Sequence, residues 1–135
     1  MTIQLRQICL VAHKLEPVID DLRSILGINS CYVDPGVGKF GLENNLMPIG
    51  RNFLEVVAPI QENTAGGRYL DRRSGDGGYM VITQIDTLPE HQRLRQCALD
   101  NGVRVAHEHT SDQWTLTQLH PCLLYTSPSP RDPIG

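Results

Sequence analysis

No stretch of this sequence approaches the roughly 18 consecutive apolar residues that a membrane-spanning helix requires. Nor is it basic: a net charge of -3 over 135 residues lacks the positive footprint with which nucleic-acid-binding domains hold phosphates. Its four cysteines, Cys9, Cys31, Cys97 and Cys122, show no Cys-x-x-Cys spacing, which argues against a zinc knuckle or a disulfide framework. The N-terminal stretch Met1–Ala12 alternates apolar with polar residues and has no small-residue cleavage site, so it does not read as a signal peptide. GxGxxG, P-loop, GxSxG and HExxH motifs are all missing, which removes the common nucleotide, hydrolase and zinc-protease chemistries. These absences leave a cytoplasmic protein with reduced thiols as the expectation, with neither nucleic acid nor membrane as partner. At 40% hydrophobic and 20% charged residues the composition is that of an ordinary globular protein, long enough for one core but not two.

What the sequence does contain is periodicity. Leu5–Ala12 reads as a strand, with Leu5, Gln7, Cys9 and Val11 on one face and Ile8 and Leu10 on the other. The following segment reads as a helix. Pro17 suits its first turn, Val18, Leu22, Ile25 and Leu26 form an apolar stripe, and Gly27 stops it. Three extended pieces follow: one near Tyr32, one near Gly41, and Asn52–Pro59, with Pro35, Gly36, Pro48 and Gly50 punctuating the gaps. After a glycine- and arginine-rich link the pattern restarts with a strand over Tyr79–Ile85. Thr87 to Glu90 has the form of a helix capping box, Leu94, Cys97 and Ala98 make a modest stripe, and Asn101-Gly102 ends the helix. Two more strands are expected, over Val103–His109 and Gln113–His120.

The first half is therefore β-α-β-β-β, and the second β-α-β-β. The two halves keep a near-constant offset: 72 positions from Gln7 to Tyr79 and 75 from Gly27 to Gly102. A counterpart of Asn52–Pro59 should then fall at about residues 125–133. That stretch has three prolines in nine residues, and proline has no backbone donor for an interior ladder. The eleven residues Cys122–Asp132 (CLLYTSPSPRD) resemble the translated read-through of a transposon adapter used in short-read sequencing. The resemblance implies a truncated gene product, with a domain over 1–121, modules at about 1–62 and 76–121, and a non-native tail over 122–135.

The duplicated βαβββ module, with "LRQICLVA" as first strand, "NFLEVVAP" as fourth, and the "GGRYL…GGYMV" link between halves, resembles the vicinal oxygen chelate superfamily. This superfamily includes glyoxalase I, extradiol dioxygenases, and fosfomycin- and bleomycin-resistance proteins; the likeness is closest to glyoxalase-like members. It implies an α+β fold in which two βαβββ modules form a cupped mixed sheet with helices on its outer face. Here the second module would lack its last strand. It also implies a divalent metal ion, identity unknown, that stabilises negative charge on a substrate with two adjacent oxygens. Ligands come from the first and fourth strands of each module, and these positions match Gln7 and Glu55. Tyr79, or Met80 if the register slips, stands in the second module where a histidine or glutamate is usual.

Glu55 is the residue to watch, because a carboxylate between Phe53 and Val57 on a strand face is costly to bury unpaired. Its alternative is a surface carboxylate paired with an arginine such as Arg51. His120 could complete the site as a ligand or acid–base group. Phe53, Tyr79 and Trp114 would line an apolar pocket. His107 and His109 share a strand face but read more simply as solvated, His13 begins a loop at the rim, and His91 reads as helix surface. Arg68, Arg72 and Arg73 read as a solvated helical face rather than an anion clamp. Cys9 has no evident base partner and reads as core. The expected function is small-molecule binding in a cup between the modules, with metal-dependent lyase, isomerase or dioxygenase-type chemistry, and a homodimer when full length. The alternative is a metal-free protein that binds or sequesters a small, antibiotic-type molecule.

Overall fold

The computed structural model describes residues 3–120. Strand β1 (Ile3–Val11) leads into α1 (Leu15–Leu26), then a 3-10 helix (Pro35–Phe40), β2 (Leu42–Ile49) and β3 (Asn52–Pro59). Helix α2 (Ala65–Arg73), β4 (Gly77–Ile85), α3 (Leu88–Asp100), β5 (Val105–Thr110) and β6 (Thr115–Leu119) complete the order. The protein is α+β, and the described strands make two sheets: four strands in the order β2-β3-β1-β4, and the pair β5-β6. The chain divides into two compact units, Gln4–Gln84 and the residues from Ile85 onward.

In the first unit β3 runs parallel to β1 and antiparallel to β2. Alternation sends Leu10, Ala12, Leu54, Val56, Ala58 and Met47 to one face, where Leu15 and Ile19 of α1 cover them. Cys9, Val11, Leu42 and Val57 fall on the opposite face and pack with Leu70 of α2. Helix α2 can come close because it begins with glycines. A Cβ on Gly66 would sit 3.1 Å from Leu42 Cδ2. Gly27 closes α1 in the left-handed conformation, with φ 66°, a region where a side chain would be strained.

Several expectations need correction. The stretch near Tyr32 is a single bridge to Leu46 rather than a strand. Pro35 and Asp34 turn the chain instead into the 3-10 helix, the Asp34 carboxylate accepting the Gly36 N–H at 2.8 Å. Pro48 lies inside β2, not in a gap; β2 is the outermost strand of its sheet, and an edge tolerates a missing donor. The stripe on α1 is rotated: Leu15 and Ile19 are buried, whereas Ile25 and Leu26 are exposed. Cys97 is exposed rather than part of a buried stripe.

The second unit begins as expected. Thr87 caps α3, its hydroxyl accepting the Glu90 N–H at 3.4 Å, and Asn101 ends the helix. Strands β5 and β6 pair antiparallel with a bulge between Val105 and His107. Arg95 grips Glu108 through two nitrogens. The strand expected at 125–133, the tail over 122–135 and Cys122 all lie outside the described residues.

Candidate small-molecule site

The β1–β3 register sets Gln7 opposite Phe53 and Cys9 opposite Glu55, all on the face that α1 does not cover. That face continues through Leu46, which pairs with Glu55 across the β2–β3 hairpin. Above these residues lies a cavity of about 300 Å³, walled by Gln7, Phe53, Glu55, Leu46, Tyr32 and Asp34, with Arg6 at its margin. Tyr32 packs edge-on to Phe53, with ring centroids 6.4 Å apart. The guanidinium of Arg6 is turned to Gln84, donating to its Oε1 at 2.7 Å.

Glu55 is only 5% exposed, yet it is fully partnered. Gln7 Nε2 donates to its Oε1 at 2.8 Å, and Asn44 Nδ2 donates to its Oε2 at 2.8 Å. Asn44 in turn accepts the backbone N–H of Asp34 on its Oδ1, at 3.0 Å. Two amide donors thus meet the burial cost that made this carboxylate suspect. Among the described residues no cation forms an ion pair with it, Arg51 included. Cys9 lies beside it with no exposed surface. Burial, followed by the charge of Glu55, pushes the Cys9 thiol far above its ordinary range. It stays a neutral core group, as the sequence suggests.

The other candidates are placed as follows. Tyr79 packs with Tyr69, centroids 5.2 Å apart, in the cluster around Leu70. Burial, then the neighbouring Cys9, raises its hydroxyl above the ordinary value. Trp114 and His120 belong to the second unit. Trp114 is exposed and lies 5.1 Å from the His109 ring, while the His120 backbone N–H donates to Arg104 O at 2.8 Å. His13 bonds Asp76 twice, through its backbone N–H at 2.9 Å and its ring Nδ1 at 3.0 Å. Arg68 and Arg73 donate to backbone carbonyls of Asn63, Gly75 and Asp76, so they brace loops rather than clamp an anion. Asn44 is the site residue that sequence reading missed. The visible signal was a polar residue alternating with Leu42 and Leu46 on the strand beside Glu55.

Gln7 and Glu55 offer two hard oxygen donors, but a divalent cation of the magnesium or calcium class takes about six or more. Among the described residues no group of three or more His, Cys, Asp or Glu side chains is placed to hold a metal ion. The described residues do not make a metal site by themselves.

No protein-family model matches the sequence, and no curated protein matches it. Solved structures do match in shape. A hypothetical protein from Bacillus halodurans C-125 superposes with a TM-score of 0.73 at 16% identity, over 92% of this chain and 88% of that one. Streptomyces coelicolor methylmalonyl-CoA epimerase, in complex with 2-nitronate-propionyl-CoA, matches at TM-score 0.69 and 21% identity, over 90% and 89%. Methylmalonyl-CoA epimerase from Mycobacterium tuberculosis matches at 0.68 and 16%, over 89% and 80%. The chain shares the fold of these proteins. At such identities the likeness is one of architecture, and the chemistry must be argued from the cavity.

Proposed function

We propose that the protein binds a small molecule in the cavity over Gln7, Phe53 and Glu55, and that Glu55 exchanges a proton with it in isomerase- or lyase-type chemistry. The observation that carries this reading is a carboxylate 5% exposed, held on both oxygens by amides, on the wall of an aromatic-lined cavity. A positioned carboxylate with restricted water access suits proton abstraction next to a carbonyl. Gln7 would hold Glu55 in place, and Phe53 with Tyr32 would pack the apolar part of the ligand. Structures of similar shape were solved with methylmalonyl-CoA or 2-nitronate-propionyl-CoA, so acyl thioesters are the first compounds to try.

The test is proton NMR in D2O with methylmalonyl-CoA and a panel of hemithioacetals, with and without divalent cations, on wild type and Glu55→Gln. Deuterium incorporation that falls by about 100-fold or more in Glu55→Gln is the expected result for loss of a general base. Equal incorporation in both proteins, or ligand-induced shifts that avoid Gln7 and Phe53, would refute the reading. The second reading is a metal-free binding protein. It is favoured by the lack of a three-ligand cluster among the described residues and by Tyr79 packing with Tyr69 at a position where the resemblance expects a ligand. Calorimetric titration with manganese and zinc separates the two. Binding in the micromolar range supports a metal enzyme, and none up to millimolar supports the binding protein.

A further inference from the structure

Asn44 sits midway along β2 on the face it shares with Leu42 and Leu46, and it is 2% exposed. Its carboxamide makes two bonds of opposite sense: Nδ2 donates to Glu55 Oε2 and Oδ1 accepts from the Asp34 backbone N–H. A backbone N–H only donates and a carboxylate only accepts, so one orientation of the amide satisfies both partners. Turning it over would set donor against donor and acceptor against acceptor. Among the described residues Gln7 has no such lock on its other end, and it lines the cavity whereas Asn44 is sealed beneath.

We propose that Asn44 is a positioning residue: it holds Glu55 Oε2 inside the sheet, leaves Oε1 as the one oxygen presented to the cavity, and ties that presentation to the segment bearing Tyr32 and Asp34. This rests on the reading of Glu55 as the ligand-facing carboxylate. It deepens that reading by fixing which oxygen acts. The Tyr32–Asp34 segment is anchored at both ends of the link. Tyr32 exchanges two backbone bonds with Leu46, at 2.8 and 2.7 Å, two residues along β2 from Asn44. A shift of this wall would therefore be felt by Glu55 through a single rigid amide. Two flat hydrogen-bonded groups and a strand backbone leave little slack in between.

The test is amide hydrogen exchange by NMR on the full 135-residue chain, with no ligand needed. In Asn44→Ala the Asp34 backbone N–H loses its acceptor and Gln7 faces a Glu55 no longer held at Oε2, so both the Asp34 N–H and the Gln7 carboxamide protons should exchange about tenfold faster or more. Asn44→Asp keeps an acceptor for Asp34 but replaces the donor with a like charge. There Asp34 should stay protected while Gln7 is released. Val56→Ala, an equally buried change on the opposite face, should lower the melting temperature without releasing Gln7. Unchanged Gln7 exchange in both Asn44 variants would overturn the proposal, as would loss of Asp34 protection in Asn44→Asp. Should neither variant fold, the wild type decides: the Asn44 carboxamide must exchange more slowly than that of Gln7, and the reverse order refutes the lock. Because no ligand is involved, this result is independent of the deuterium-incorporation test.

Discussion

Residues 4–84 and residues 85–120 contain the same kinds of element, but only the first set builds a substantial core. In the first unit the buried apolar residues include Cys9, Val11, Ile19, Met47, Val56, Val57, Ala58 and Leu70; among the described residues from Ile85 onward Val103 alone is buried. Helix α3 buries none of its residues, and every residue of β5 and β6 is at least partly open. In the first unit one strand organises the core. β3 joins β1 to β2, supplies Val56, Val57 and Ala58 to the two apolar clusters, and carries Glu55. The strand that makes the first unit's core also makes the site.

The comparison is broken most directly by placing the sequence of β3 after β6. The offset of the repeat puts the counterpart of Asn52–Pro59 at about residues 125–133. A chain with residues 125–132 replaced by Asn-Phe-Leu-Glu-Val-Val-Ala-Pro should melt about 10 °C or more higher, since several buried apolar side chains at roughly 1.5–3 kcal/mol each rival total domain stability. Hydrogen exchange should slow in β5 and β6. Identical melting and exchange would show that the internal repeat does not describe the second unit.

A core substitution sharpens the same contrast. Met47 has no exposed surface, and Met47→Ala should cost about 2–5 kcal/mol by leaving a cavity. Leu94, half-buried on α3, should cost less than about 1 kcal/mol on truncation to alanine if the second unit lacks a tight core. Urea melts of both variants measure this, and equal losses would erase the distinction drawn between the units.

What could be read from the chain follows from which forces act locally. Gln7, Phe53 and Glu55 were placed on one face because strand alternation is set by the backbone itself, and the register then brought them together. The ends of α1 and α3 were legible in Gly27 and Thr87 for the same reason: capping is a short-range bond. The α1 stripe was misplaced because Leu15, at the first turn, can reach the sheet while Ile25 and Leu26 run past it. For Asn44 the sequence shows a polar residue among apolar neighbours on its face but not what it does. Its role depends on Glu55 eleven positions away and on a backbone N–H ten positions back, neither of which leaves a mark on periodicity.

The cysteines give the next contrast. Cys9 is buried with its thiol pushed up by burial and by Glu55, whereas Cys97 on α3 is exposed. At neutral pH a chromogenic disulfide reagent should modify Cys97 within minutes and leave Cys9 untouched until the chain is unfolded. Mass mapping of the labelled peptides decides it. Early labelling of Cys9 would mean that the sheet beside Glu55 opens readily, against a rigid setting for that carboxylate.

The smallest effect expected is at Asp76, which braces the start of β4 against the loop after β1. The backbone N–H of His13, then its ring, hold the Asp76 carboxyl below its usual value. A depressed carboxyl contributes stability that is complete above its unfolded value, about 3.9, and is lost as pH falls through the lower folded value. Asp76→Asn should therefore leave stability near neutrality reduced and flatten the acid side of the profile. The side chain is 50% exposed, so solvent screening limits the change to less than about 1 kcal/mol. The asparagine oxygen can still accept the His13 backbone N–H, which trims the loss further. Thermal melts of both proteins from pH 2 to 7 test the sign as well as the size. A variant that gains stability at neutral pH, or a difference that widens as pH falls below 4, would show that the His13–Asp76 contact does not stabilise this unit.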